Sequence, residues 1–383
     1  MRGMAAVTVV AQHCLLVSPW IGGGMTADAS RPLWVAIAEA PPFSALWSGS
    51  EAVTLFFVLS GFVLALPFFR GPVSLPGWLA RRALRIYPPY LAAVALAVGL
   101  WYATRHAPPT STSQWFDAIG SVPPTPRLLL EHVLLIGSFD NDAFLPVVWS
   151  LVIEMRISLA FPLLMVLVLA ARWWQTLVVC LLLFVLGRGT HWWANASGVL
   201  PGDHFATLMH VYPFAVGALL ARHRRFLVER LGCLNTGVRV CLWIFAFALY
   251  QYAALVPDAW ETTSRRVFGH FPTVTGIALA ILLTLGSDAA RRWLVRAPLV
   301  YLGRISYSLY LVHTVVLVAA VRLLGSEAVA PATLFVIVLC ASLALATLSW
   351  WAIERPSIAL SRAVGRRLER RPLREAGRPG DTG

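Results

Sequence analysis

The stretch from 51 to 66, Glu-Ala-Val-Thr-Leu-Phe-Phe-Val-Leu-Ser-Gly-Phe-Val-Leu-Ala-Leu, decides the class of fold. After its opening carboxylate, Glu51, no charge follows as far as Phe69, so a helix here suits hydrocarbon rather than water. Working outward from this run at 47–69, comparable apolar runs lie near residues 4–20, 86–104, 145–170, 173–190, 205–221, 238–254, 271–286, 301–323 and 332–353. The run at 271–286 is short for a span, and the run at 145–170 carries Glu154 and Arg156. Together the runs predict an all-α, polytopic integral membrane protein with about ten transmembrane helices. Composition agrees: 58% of residues are hydrophobic, 13% are charged and the mean hydropathy is +0.71, which excludes a water-soluble enzyme.

The net charge is +13, and because no Lys occurs, all 31 basic residues are Arg, permanently charged and forked. With both termini placed in the cytoplasm, 23 Arg fall inside and seven outside, while 11 of the 18 carboxylates fall outside. That asymmetry predicts that both ends are cytoplasmic, and the membrane expected is a bacterial inner membrane. The basic excess faces membrane lipids, and no nucleic acid partner is expected. Ten spans leave no segment long enough to bury a separate core, so residues 1–355 read as one transmembrane domain. Residues 356–383 read as an Arg-rich cytoplasmic tail, amphipathic at first against anionic headgroups and fraying in its final Gly, Pro and Asp. The N-terminus also imitates a cleavable signal peptide ending near Ala27-Asp28-Ala29, although Gln12 and His13 interrupt its apolar centre. The five cysteines lack metal-ligand spacing, and no metal site is expected.

Ionisable groups inside spans cost roughly 2.5 to 3.5 kcal/mol each on insertion scales, so each one suggests a function. His13, Glu51, Glu154 and His313 are such groups. Arg2 and His13 are eleven residues apart, which places them on one helix face about 16 Å apart along the axis. That pairs a cation at the cytoplasmic mouth with a base further in; the plainer alternative is a helix anchor and a histidine bonded to a neighbouring helix. Arg81, Arg82 and Arg85 cluster before Tyr87-Pro88, and Arg81 and Arg85 share a face suited to phosphates, or simply set topology. Glu154 and Arg156 point about 200° apart, so each needs a partner elsewhere. Ser306 and His313, seven apart, return to one face with Tyr310 between them, extending a polar stripe into the bilayer. Ser60-Gly61 reads as close helix packing rather than a nucleophile on its turn.

In order along the chain, these segments resemble the integral membrane acyltransferase family called acyltransferase 3. The resemblance rests on Arg2-Gly3-Met4-Ala5-Ala6 with His13, Phe56 to Phe62, Arg81 to Pro88, Trp149 to Glu154, Gly303 to His313, and Ile353-Glu354-Arg355-Pro356. It implies about ten helices, a cytoplasmic acyl-CoA donor, acetyl-CoA above all, and a carbohydrate or glycosylated acceptor. It further implies that His13 is the catalytic base with Glu51 beside the reacting centre, and that Arg2, Arg81, Arg82 and Arg85 hold the donor's phosphates. Glu154, Ser306, Tyr310 and His313 would then line the substrate channel. A transporter or exporter of a glycan or small metabolite, or an assembly subunit, would also hold buried His and Glu, but neither would consume acyl-CoA.

Overall fold

The computed structural model describes residues 1–25, 30–105, 112–134, 144–196, 207–256, 269–325 and 330–375, excepting the side chains of 191, 194–196 and 369–375. Each apolar run falls on a helix, and among the described residues there is no strand. Among the described residues the helices of 15 residues or more are α1 (Arg2–Leu16), α2 (Gly49–Ala65), α3 (Leu75–Thr104), α4 (Val148–Ala170), α5 (Trp173–Ala196) and α6 (Val211–Gly232). After them come α7 (Thr236–Tyr250), α8 (Phe271–Leu285), α9 (Ala297–Leu324), α10 (Pro331–Ser349) and α11 (Arg355–Glu375). Leu163 and Val166 on α4, Leu182 and Val185 on α5 and Leu348 on α10 are exposed large apolar side chains, as expected of faces turned to lipid.

The expected count of about ten spans is not confirmed. Among the described residues, six helical segments are long and apolar enough to cross a membrane: Gly49–Phe69, Leu75–Thr104, Val148–Ala170, Trp173–Thr190, Ala297–Leu324 and Pro331–Leu368. A seventh arises if α8 and the helix Asp288–Leu294, bent by 95°, form one broken span. The shortfall has a physical cause. With 15 residues each, α1 and α7 are only about 22 Å long, against a hydrocarbon core of about 30 Å. In α6, the charges of Arg222, Arg224, Arg225, Glu229 and Arg230 break the apolar run.

Packing between helices in lipid relies on close approach, because the tails are as apolar as leucine. A close backbone approach joins α2 to α6. A Cβ on Gly61 would stand 2.1 Å from the carbonyl oxygen of Phe214, and one on Gly217 would stand 2.1 Å from that of Val58. These two glycines let the backbones touch, as the Ser60-Gly61 reading anticipated. α1 is held by α2, α9 and α10. Its buried face is Gly3, Ala5, Ala6, Val9, Val10, His13 and Cys14, small residues apart from the imidazole.

α3 starts at an N-cap, where Ser74 Oγ accepts a bond from Gly77 N, and runs through Pro88 and Pro89. These prolines cannot donate to the preceding turn, and the hydroxyl of Tyr307 bonds the nearby Ile86 carbonyl at 2.9 Å. At Trp350–Glu354 a π-helical turn carries α10 into α11 and leaves Glu354 buried. α11 packs on α3, with Ser361 Oγ donating to the Arg81 carbonyl at 3.1 Å. The first part of the expected tail is thus helix, and its final residues, 376–383, lie outside the described residues, as does Ala27-Asp28-Ala29.

Candidate active site

Two histidines from the first and ninth helices meet in the interior. His313 is fully buried and His13 is 9% exposed. A carbonyl oxygen only accepts, so Nδ1 of His313 carries the proton in its 3.1 Å bond to the Leu309 carbonyl one turn back. The lone pair of that neutral ring is then at Nε2, which accepts a 2.8 Å bond from Nδ1–H of His13. The bonding network leaves His13 with an unprotonated Nε2. The two ring planes are 9° apart, and the indole of Trp115 covers His13 with ring centroids 5.0 Å apart and planes 24° apart. A base whose other nitrogen is held by a fixed acceptor is the arrangement that orients imidazole for proton transfer.

A cavity begins at Arg2 and stops short of this pair: neither histidine is among the described residues that line it. It is lined by Arg2, Arg82, Arg85, Ser60, Glu154 and Ser306 at one end and by Ser150, Phe56 and Tyr310 at the other. Arg2 donates to Ser60 Oγ at 3.1 Å, Ser60 Oγ donates to Glu154 Oε1 at 3.3 Å, and Arg82 donates to the same carboxylate oxygen at 3.1 Å and to Ser158 Oγ at 3.0 Å. Three guanidinia face one carboxylate on the wall, and the buried Glu354 carboxylate lies near enough to act on Arg2 and Arg85, so the surroundings keep a net positive charge where unpaired charge is costly. Such a wall favours an anionic ligand. The space open to water is narrow, about 70 Å³, enough for a handful of water molecules. At the far end, Ser150 Oγ donates to the Val147 carbonyl at 2.9 Å, so its 2.8 Å bond with Tyr310 is donated by the phenol. The Tyr310 ring is 6.0 Å from that of His313, which makes it the wall between cavity and histidines.

The structure therefore brings Arg2, Arg82, Arg85, Glu154, Ser306 and Tyr310 together around one space, with His13 and His313 adjacent. Arg81 is placed differently: its side chain packs on Gly365 of α11, whose Cβ would stand 2.6 Å from Arg81 Cγ. Glu51 accepts a 2.8 Å bond from Ser50, and among the described residues no hydrogen bond joins it to His13. The separate partners required for Glu154 and Arg156 exist: Arg82 for the first and Thr207, at 3.2 Å, for the second. Sequence reasoning missed Ser60 and Ser150 as polar links, and it missed Trp115 altogether. It also missed Glu354 as a buried carboxylate, which accepts a 2.6 Å bond from Ser308. Among the described residues no group of three or more His, Cys, Asp or Glu could hold a metal ion.

A helical bundle with long apolar helices, exposed apolar faces and a polar, cationic cavity near two buried imidazoles has the architecture of an integral membrane protein. The chain belongs to the acyltransferase 3 family, whose acyltransferase-domain model matches residues 1–351. It is similar to the acyltransferase MdmB of Streptomyces mycarofaciens, with 26% identity over 291 residues, covering 73% of this chain and 71% of that protein. No solved structure matches the chain.

Proposed function

We propose that the protein is a membrane O-acyltransferase that carries an acyl group, acetyl foremost, from cytoplasmic acyl-CoA to a hydroxyl of a carbohydrate or glycosylated acceptor. The observation that carries this reading is the His13–His313 bond, which leaves His13 Nε2 able to take a proton next to an anion-seeking cavity. The acceptor oxygen attacks the thioester carbonyl while its proton passes to His13 Nε2, a role typically worth about 10²- to 10⁴-fold. The tetrahedral intermediate then expels the thiolate, which takes the acceptor's proton from His13, giving ester and free CoA. Arg2, Arg82 and Arg85 hold the donor's phosphates in the inner half of the cavity. Because that cavity is narrow, donor entry parts the Arg2–Ser60–Glu154–Arg82 links, and the incoming phosphates replace Glu154 as partners of the guanidinia. Glu51, in the first turn of α2, meets the acceptor.

The orientation that fits this reading places the Arg2 end in the cytoplasm of a bacterium with the protein in its inner membrane. The test is incubation of purified protein with labelled acetyl-CoA and membranes carrying candidate glycans. Label in a base-labile ester supports the enzyme. Substrate flux without acetyl-CoA consumption would make it a transporter, and neither outcome would make it an assembly subunit.

A further inference from the structure

Taking a proton turns His13 into an imidazolium inside an apolar bundle, and a buried cation needs a partner. The groups around it are limited. On α1 its neighbours are Gln12 and Cys14; α9 presents His313, whose Nε2 is already its acceptor, and Tyr310, which bonds Ser150. Among the described residues no carboxylate hydrogen-bonds either imidazole, since Glu51 holds Ser50 and Asp117 holds Thr112. Arg2, the α1 cation, is bonded to Ser60 three turns away. What does face the ring is the π surface of Trp115, near-parallel to it and with centroids 5.0 Å apart, inside the range of a cation–π contact.

We infer that Trp115 is a positioning residue for the transfer, holding the His13 ring in line and stabilising the imidazolium that forms on it. This rests on the acyltransferase reading above. The indole is fixed for the task. Ser113 is fully buried and caps the short helix Gln114–Ala118 by accepting from Phe116 N at 3.2 Å. It is tied to the end of α1 by its backbone N–H to the Val17 carbonyl at 3.2 Å and by its hydroxyl to the Leu16 carbonyl. Gln114 N bonds the Gly23 carbonyl at 2.9 Å. Four bonds from one short segment therefore set an aromatic face on the base rather than leaving it as loop packing.

The experiment uses the full chain with mono-, di- and trifluorotryptophan incorporated at position 115 alone, which drains the π face while keeping its shape. With labelled acetyl-CoA and acceptor membranes, the turnover rate is expected to fall stepwise, by about 3- to 30-fold across the series, with the KM for acetyl-CoA constant within about twofold. Trp115→Phe should retain more activity than Trp115→Leu at equal thermal stability. A flat fluorine series overturns the inference, as does a Trp115→Leu protein that matches Trp115→Phe. Acetyl-CoA hydrolysis that rises while ester transfer is kept would also overturn it, making Trp115 a water shield only. A wild-type protein that never moves label removes the acyltransferase reading and this inference together, whereas a flat series removes only the role of Trp115.

Discussion

Direction of proton movement is set at single atoms. Since Leu309 fixes the proton on His313 Nδ1, replacing His313 by Ala leaves the Nδ1–H of His13 buried without an acceptor. The expected result for His313→Ala is a turnover rate lower by about 10- to 100-fold with both KM values nearly unchanged, as for other residues that orient a reactive imidazole. His313→Gln, whose amide oxygen can accept that bond, should recover part of the loss; equal kinetics for the two variants would argue against an orienting role. At the cavity wall, Arg82→Ala should raise the KM for acetyl-CoA by about 10-fold or more, and Arg81→Ala far less, measured at saturating acceptor. The sequence pattern exposed the cluster but not its members' directions. Helix spacing paired Arg81 with Arg85, yet the face that α3 turns inward carries Arg82 and Arg85, because α11 occupies the Arg81 side. No local signal in the sequence announces that docking. Trp115 was invisible for a similar reason: it stands in a segment between runs, and only the bonds of Ser113 to α1 bring it over His13.

Helix contacts were readable where small residues mark them. Ser60-Gly61 signalled close approach, and Gly61 and Gly217 provide it reciprocally. Gly61→Leu should lower the melting temperature in detergent, with a cost of at least about 1 to 3 kcal/mol, because the atoms in its way are backbone and cannot rotate aside. An unchanged melting curve would mean that α2 and α6 do not meet there. Ser60 itself was read as packing only, and its hydroxyl turns out to connect Arg2 with Glu154. Span counting was the weaker part of the reading. Apolar runs located the first ten of the eleven long helices and not α11, but a run does not state whether its helix reaches both bilayer faces. α1 can stay at 15 residues because α2, α9 and α10 shield its buried face.

For the whole molecule, charge asymmetry predicts which end meets the cytoplasm. Cys233 is exposed beside the Arg-rich end of α6, so it reports sidedness. In sealed right-side-out vesicles, a membrane-impermeant maleimide should leave Cys233 unlabelled until the vesicles are lysed; labelling before lysis would invert the orientation and move the donor cavity to the other face. In the proposed reaction acyl-CoA enters from that side, and the nearness of the cationic cavity to the buried imidazoles, with Tyr310 between them, is the centre of the account. Its most direct test is the rate of label transfer from acetyl-CoA to a base-labile ester by His13→Ala, in membranes holding wild-type amounts of folded protein. The rate is expected to fall by about 10²- to 10⁴-fold with donor binding retained; transfer at the wild-type rate would contradict the account.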